Sequence, residues 1–516
     1  MTAEGAVARA DPVDSGWQWL SPRSLVVRPV TDLIRLVPVL AGVLFFGSSH
    51  GIGGYWTVAF AALAILTSIV RYCTTRYRLT AERIYLRHGL LSQKVLSVPR
   101  DRVRSVDLTA HLVYRLLGLR RVSVGTGRSD RHGGGGLHLD ALRMGDAEAL
   151  RAQLLTGSIP VAATPQPAAG QTEMARLRPG WIRFAPFTMT GLVIAGVALG
   201  SSVQILNDLH LNLANVAPVY HLAVRFDDLP VSERVLSGAI TGLVLVVALS
   251  VAGYIALFWD FRLVRLGEVL RVSRGLLTTR TTTIDVRRLR GAEFSEPLLL
   301  RLVGGARCLA ITTGLRVGEG AEHGGSLLLP AAPRPVAQQV TGSVLATAGA
   351  AGAVRDELVT GELIRHGPAA RRRRYVRALT GALILVGVAT IAWQTAVIPA
   401  WAWGVSLVLL PVAVALAADR YRSLGHLLTG GWLITRTGTL VRRRCVLSTD
   451  GIIGWRIHQS WFQRRQGLVS LAATTAAGHQ HYVAHDIPAA DAIALARSAT
   501  GRLMAPFLAP GPDRRP

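Results

Sequence analysis

The amino-acid sequence predicts an α+β membrane protein with six transmembrane helices in three pairs, each pair followed by a cytoplasmic antiparallel β domain that closes with a C-terminal helix. Three observations predict this class: the balance of apolar and basic residues, the placement of long uncharged stretches between arginines, and an internal repeat. The first is a conflict. Of 516 residues 50% are hydrophobic and the mean hydropathy is +0.35, too apolar for a typical soluble protein, yet the formal net charge is +26. Apolar spans with basic segments on one side of a bilayer satisfy both. Cys73, Cys308 and Cys445 are dispersed without metal-ligand spacing, which suggests neither a disulfide framework nor a zinc site and fits a reduced compartment. The N-terminal stretch lacks the basic start, apolar run and small-residue cleavage site of a signal peptide, so it is expected to stay attached and inside.

The elements follow in chain order. Residues 1–28 read as a cytoplasmic N-terminal segment and 29–72 as transmembrane pair 1, because the uncharged stretch 36–70 is interrupted by GSSHGIGG at 47–54; each half needs roughly 20 residues to cross a hydrocarbon core. Residues 73–156 read as the first β domain and 157–183 as a linker containing IPVAATPQPAAG. Pair 2 occupies 184–259, with spans at 184–206 and 236–259 and an acidic external loop at 207–235 carrying Asp208, Asp227, Asp228 and Glu233 against Arg225 and Arg234. The second β domain is 260–350, followed by a basic linker at 351–375. Pair 3 is 376–418, broken near 394–399, with Trp393, Trp401 and Trp403 as interfacial anchors. The third β domain is 419–503 and the tail 504–516. Arginines retained in the cytoplasm set the topology: Arg71, Arg76 and Arg78 follow the second span, Arg262 and Arg265 the fourth, and Arg420 and Arg422 the sixth, while Arg371, Arg372, Arg373 and Arg374 precede the fifth. Both termini and all three β domains are thereby expected inside a bacterial plasma membrane.

The repeat aligns without a gap between the first two copies at an offset of 186 (275 − 89) and reaches the third at 349 (438 − 89). Gly89, Gly275 and Gly438 share one column, and Gly118, Gly304 and Gly467 another. Arg115, Arg301 and Arg464 form a third, and Arg104 meets Arg290. Such self-similarity outranks any single motif. Around the first glycine column RIYLRHGLL and VLRVSRGLL alternate apolar and polar residues, the pattern of a hairpin with one buried face and a glycine turn of positive φ. RVSVGTG, CLAITTG and LVSLAATT supply another strand, and LHLDAL, SLLLPAAP and HYVAHDIP a last one. Each copy then closes with an apolar-periodic helix: DAEALRAQLL, VAQQVTGSVL and DAIALARSAT. LSPRSLVVRP and LRPGWIRFAP each place two prolines seven apart on the approach to the membrane.

Paired spans, the glycine and arginine columns, VPRDRVRSVDL and LVYRLLGLRRVSVGTG together resemble the bacterial pleckstrin-homology-like (PH-like) membrane proteins of the YdbT type, over about residues 20–503. The resemblance implies a bent antiparallel sheet capped by a helix, no catalytic residues, and a smaller companion membrane protein with one PH-like domain. The copies are unequal. Asp285 and Ser448 replace Pro99, and Ile453 replaces Arg104, so the first copy is the expected binder and the others are expected to serve mainly as structure.

The residues offer no catalytic constellation and no cofactor site. GTGRSDRHGGGG at 125–136 lacks the P-loop lysine and the dinucleotide spacing, so it reads as a hairpin loop. His479, His481 and His485 have no equivalents in the other copies and read as surface positions rather than metal ligands. What remains is basic character. Arg100, Arg102 and Arg104 alternate along an expected strand face, and Arg371, Arg372, Arg373 and Arg374 sit at the membrane, where each arginine gains about 1 kcal/mol from anionic lipid. These seven are the candidate contacts to the anionic inner leaflet or to a partner, against simple topological retention for the second group. Arg442, Arg443 and Arg444 read as solvated. Nucleic acid is excluded as a partner because no aromatic residues are interleaved with the charge. The expected function is a noncatalytic inner-membrane scaffold binding partner proteins or lipid headgroups, in envelope maintenance or defence. The alternative is a transport or export component gated by the β domains, against which stands the lack of an ionisable residue in mid-span. The oligomeric state stays open.

Overall fold

The computed structural model describes residues 16–19, 21–23, 66, 69–70, 73–80, 82–89, 93–100, 103, 105–125, 136–156, 171–208, 230–313 and 326–504. It forms two compact units, Met1–Asp285 and Val286–Pro516, so that the boundary falls inside the second copy of the repeat.

In the first unit, β1 (Gln18–Trp19), β2 (Arg76–Leu79), β3 (Arg83–His88) and β4 (Lys94–Pro99) make one antiparallel sheet in that order. Alternation sends Ile84 and Leu86 inward. They meet Val106 and Leu108 of β5 (Ser105–His111), then, past the short helix α1 (Leu112–Leu116), Val122 and Val124 of β6 (Leu119–Gly125) and Leu137 and Leu139 of β7 (Gly136–Arg143). Helix α2 (Met144–Thr156) closes this core with Ala147 and Leu150. Each fully buried leucine or valine stabilises the domain by about 1.5–3 kcal/mol relative to exposure. Next come β8 (Gln171–Arg176), a 3-10 helix (Pro179–Phe187), α3 (Met189–Asp208), α4 (Val231–Phe258), β9 (Arg262–Leu266), β10 (Val269–Arg274) and β11 (Thr278–Asp285). The last three strands begin the second copy, yet they share a seven-stranded sheet with the end of the first, in the order β7-β6-β5-β11-β10-β9-β8.

The second unit repeats the arrangement. A 3-10 turn (Val286–Arg288), β12 (Leu289–Pro297), α5 (Leu298–Leu302), β13 (Gly305–Thr312), β14 (Leu327–Pro333) and α6 (Arg334–Thr347) finish the second copy. Helices α7 (Gly352–Thr360), α8 (Pro368–Gln394), α9 (Ala400–Ser406) and α10 (Leu409–Arg422) lead to β15 (Gly425–Thr429), β16 (Trp432–Thr437) and β17 (Val441–Ser448). Again the sheet runs across copies, in the order β14-β13-β12-β17-β16-β15. The third copy ends with β18 (Gly454–His458), α11 (Trp461–Arg464), β19 (Leu468–Thr474), β20 (His481–Pro488) and α12 (Ala489–Met504).

The glycine columns fold as their positions predict. Gly89, Gly275 and Gly438 have φ of 111°, 109° and 103°, and a Cβ on Gly438 would lie 1.9 Å from the Val441 carbonyl oxygen, so only glycine fits that turn.

Several expectations are corrected. Among the described residues three helices are long and apolar enough to cross a membrane, Val231–Phe258, Pro368–Gln394 and Ala400–Arg422, and a fourth candidate is the pair Pro179–Phe187 and Met189–Val197, bent by 70°. The six-span reading is therefore represented only in part; pair 1 at 29–72 lies almost wholly outside the described residues, as do residues 209–229 of the acidic loop. The span expected from residue 184 breaks at Thr188, which is extended after the 3-10 segment and whose Oγ1 accepts from the Gly191 amide at 3.0 Å to start a new helix. The expected linker 157–183 contains a strand, β8, which pairs with β9. The basic linker 351–375 holds α7 and the first turns of α8, so the arginines at 371–374 are helical.

Those former linkers have a shared role. Gln18 pairs with Tyr77, Ala175 with Leu263, and Ile364 bridges to His426; Tyr77, Leu263 and His426 occupy one column of the repeat. The segment before each helix pair thus lies antiparallel to the strand after it. In the second and third copies the helices between them pack on each other.

Candidate functional site

A strongly basic concavity lies in the third copy, a cavity of about 640 Å³ lined by Arg373, Arg374, Arg377, Arg420, Arg456, His458, His481 and His485 among others. Helix α8 starts at Pro368 after Gly367, with fixed φ at its first position. Its 3.6-residue period then stacks Arg373 and Arg377 on one face. Arg420 comes from the last turn of α10, and Arg456 and His458 from one face of β18.

The wall is held by a buried carboxylate. Asp486, fully buried in β20, makes ion pairs with Arg373 and with Arg374 and accepts from Gln463 Nε2 at 2.8 Å. Gln463 in turn donates to Ser470 Oγ at 2.8 Å and accepts from the Ser460 amide at 2.9 Å, completing the cap of α11. Arg373 also donates to Ser460 Oγ at 3.3 Å. These contacts fasten the start of α8 to the last sheet, with one carboxylate shared between two guanidiniums so that one positive charge is left over. Arg377, Arg420 and Arg456 are exposed, and no carboxylate lies within ion-pair distance of them among the described residues.

Two histidines report the surplus. Burial, then Arg374, Arg420 and Arg373, outweigh Asp486 and lower His485 to about 4. Behind it His366 Nε2 lies 3.0 Å from His426 Nδ1, and burial followed by that neighbour lowers His366 to about 4. Both imidazoles are neutral at physiological pH, so the positive potential is carried by arginine. The cavity is of a size that takes a small ligand, and three unpaired guanidiniums match the oxygens of a phosphate group. No activated nucleophile faces it: Cys445 is buried, with its thiol pushed up by burial.

A second cavity of about 360 Å³ sits in the first unit, lined by Arg115, Arg120, Arg274 and Arg280. Here the cations are used internally. Arg115 donates to the Leu276 carbonyl at 2.6 Å, Arg120 pairs with Glu148 at 3.0 Å, Arg280 pairs with Asp107 at 3.0 Å, and Arg274 lies over the Phe258 ring.

Of the residues singled out from sequence, Arg373 and Arg374 line the larger cavity. Arg371 lies over the Tyr375 ring and Arg372 is exposed, neither in the lining. Arg100 is not on a strand face: β4 ends at Pro99, and Arg100 opens the turn between half-sheets, its amide donating to the Glu82 carbonyl at 2.9 Å. Arg102 and Arg104 lie outside the described residues. Arg442, Arg443 and Arg444 are not free solvated charges: all three are engaged by the surrounding structure, and Arg444 is buried. Arg442 pairs with Asp419 at 2.9 Å, Arg443 pairs with Glu293 at 3.4 Å, and buried Arg444 donates to the carbonyls of Leu358, Glu357 and Gly361. Of the three histidines, His479 meets Glu293 at 3.2 Å while His481 and His485 line the cavity. Sequence reasoning missed Arg377, Arg456 and Asp486. The available signal was the carboxylate of HYVAHDIP in a copy whose preceding span opens on four arginines.

A model described as "Bacterial PH domain" matches three times, at residues 33–157, 210–348 and 380–502. The chain is 20% identical over 482 residues to the UPF0699 transmembrane protein YdbT of Bacillus subtilis (strain 168), covering 88% of this chain and 92% of that protein. No solved structure matches it significantly.

Proposed function

Since the chain belongs to the bacterial PH domain family and is a membrane protein with three copies of that domain, we propose that it is a noncatalytic multi-pass scaffold whose third domain holds an anionic lipid headgroup. The carrying observation is the arginine cavity at the ends of α8 and α10. Both helices belong to segments long and apolar enough to span a bilayer, so a phosphate in the cavity would sit at headgroup depth with its acyl chains beside Val376, Leu383 and Val412, which are exposed on those helices. Arg377, Arg420 and Arg456 supply charge-assisted hydrogen bonds, and the Asp486 network holds the wall rigid so that little ordering accompanies binding. The arginine flanks of the spans support a cytoplasmic placement of the domains, where anionic lipid lies in the inner leaflet.

The test uses the full chain in nanodiscs containing equal phosphatidylglycerol and phosphatidylcholine. Native mass spectrometry is expected to find phosphatidylglycerol retained on the protein, and the R377Q/R420Q/R456Q variant is expected to lose that preference while keeping its fold. Equal retention by both proteins contradicts the proposal.

A further inference from the structure

The same inter-copy strand pairing is built twice, and its two halves recur, one in the first copy and one in the third, without a partner strand on that edge among the described residues. At the first junction β5 pairs with β11, His111 opposite Thr278 and Ser105 opposite Ile284. At the second β12 pairs with β17, Pro297 opposite Val441 and Gly291 opposite Leu447. Moving the first register by the repeat offsets reproduces the second: 111 + 186 = 297, and 278 + 163 = 441, where 163 is 438 − 275. The junction is therefore a property of the repeat. Its remaining halves are β4, the first copy's counterpart of β11 and β17, and β18, the third copy's counterpart of β5 and β12. Each is the edge of its sheet among the described residues.

The side chains at these edges are those of an interface left uncovered. Leu108 and Phe294, 2% and 5% exposed at the two junctions, are replaced on β18 by Ile457 at 48%. Thr282 and Cys445, 4% and 8% exposed, are replaced on β4 by Leu96 at 38%, and next to it Val95 is 58% exposed. An unpaired strand edge with apolar residues is a template for another strand.

We propose that β18 of one protomer pairs antiparallel with β4 of a second copy of this chain, in the register of the internal junctions. That register sets Gly454 opposite Val98 and Ile457 opposite Val95, so the two exposed apolar residues face each other. One column is mismatched. Both internal junctions cross-pair an acid with an arginine, Asp107 with Arg280 at 3.0 Å and Glu293 with Arg443 at 3.4 Å, and the corresponding positions at the ends are Arg456 and Lys94. Two like charges on a diagonal weaken this junction relative to the internal ones and keep it reversible, which guards an open-ended contact against runaway growth.

The test is cross-linking of full-length protein in membranes, in a Cys73→Ser background with differently sized tags on the two chains. A Val95→Cys chain and an Ile457→Cys chain are expected to cross-link to each other through a short bis-maleimide. Arg456→Glu alone and Lys94→Glu alone are each expected to raise the yield about threefold, and the two together to return it to the starting level. Cross-linking confined to single chains carrying both cysteines, equal yield from a Ser97→Cys partner, or indifference to the charge changes would each overturn the proposal.

Discussion

The two cavities are both lined by several arginines and differ in how those charges are used. In the first unit every wall arginine has an internal use, for a carbonyl, a carboxylate or an aromatic face. In the third copy the one buried carboxylate is shared by two arginines, and three more are left facing the opening. Arginine count alone is therefore a poor guide to binding. What matters is whether the carboxylates available in the same domain balance it, and where the surplus lies relative to the spans.

The largest expected effect separates the cavities by burial. Asp486→Asn leaves Arg373 and Arg374 inside the protein without their counter-charge, and is expected to cost about 3–5 kcal/mol of stability. Asp107→Asn removes a partner from the part-buried Arg280 and is expected to cost less, about 1–2 kcal/mol. Thermal unfolding in detergent measures both, and equal losses would break the comparison.

The next effect separates them by ligand. Removing Arg377, Arg420 and Arg456 together is expected to weaken anionic-lipid affinity by roughly 100-fold, taking about 1 kcal/mol for each juxtamembrane arginine. Replacing Arg115 and Arg274 with glutamine is expected to leave it within about twofold, since those cations are already engaged. Lipid-transfer titration reads both.

The smallest effect follows from the histidines. His485 and His366 titrate near 4 in the folded protein, below their ordinary 6.5. Between those values the unfolded chain binds more protons than the folded one, so stability is full above about 6.5, falls as pH drops toward 4, and levels off below. His485→Gln is expected to reduce the pH slope in that window by up to one proton. An unchanged slope would place its titration elsewhere.

Much of the fold was legible because it is local and repeated. Alternation in RIYLRH and VLRVSR, the two glycine columns and the closing helices all come from neighbouring residues, and threefold recurrence filtered out accident. The shared sheets were not legible, since nothing in the period of β5 or β11 says whether its partner lies in the same copy or the next. Strand β8 was hidden because QTEMAR shows no strict alternation and lies between proline-rich runs. Of the cavity, the run before α8 was visible as charge density. Arg420 read as a topological flank and Arg377 as the edge of a span, because their convergence with Arg456 depends on three elements meeting. The expectation that the first copy is the binder rested on how fully it keeps the repeat pattern. That pattern reports turn and strand geometry rather than unpaired charge.

Whether an anionic headgroup occupies the third copy can be read by photocross-linking full-length protein in bilayers doped with an anionic lipid whose headgroup carries a photoreactive group, followed by peptide mapping. Adducts are expected on the peptides containing Arg377, Arg420 and Arg456, suppressed by excess unlabelled phosphatidylglycerol. Adducts concentrated on the first copy, or spread evenly over the three copies, would contradict this placement.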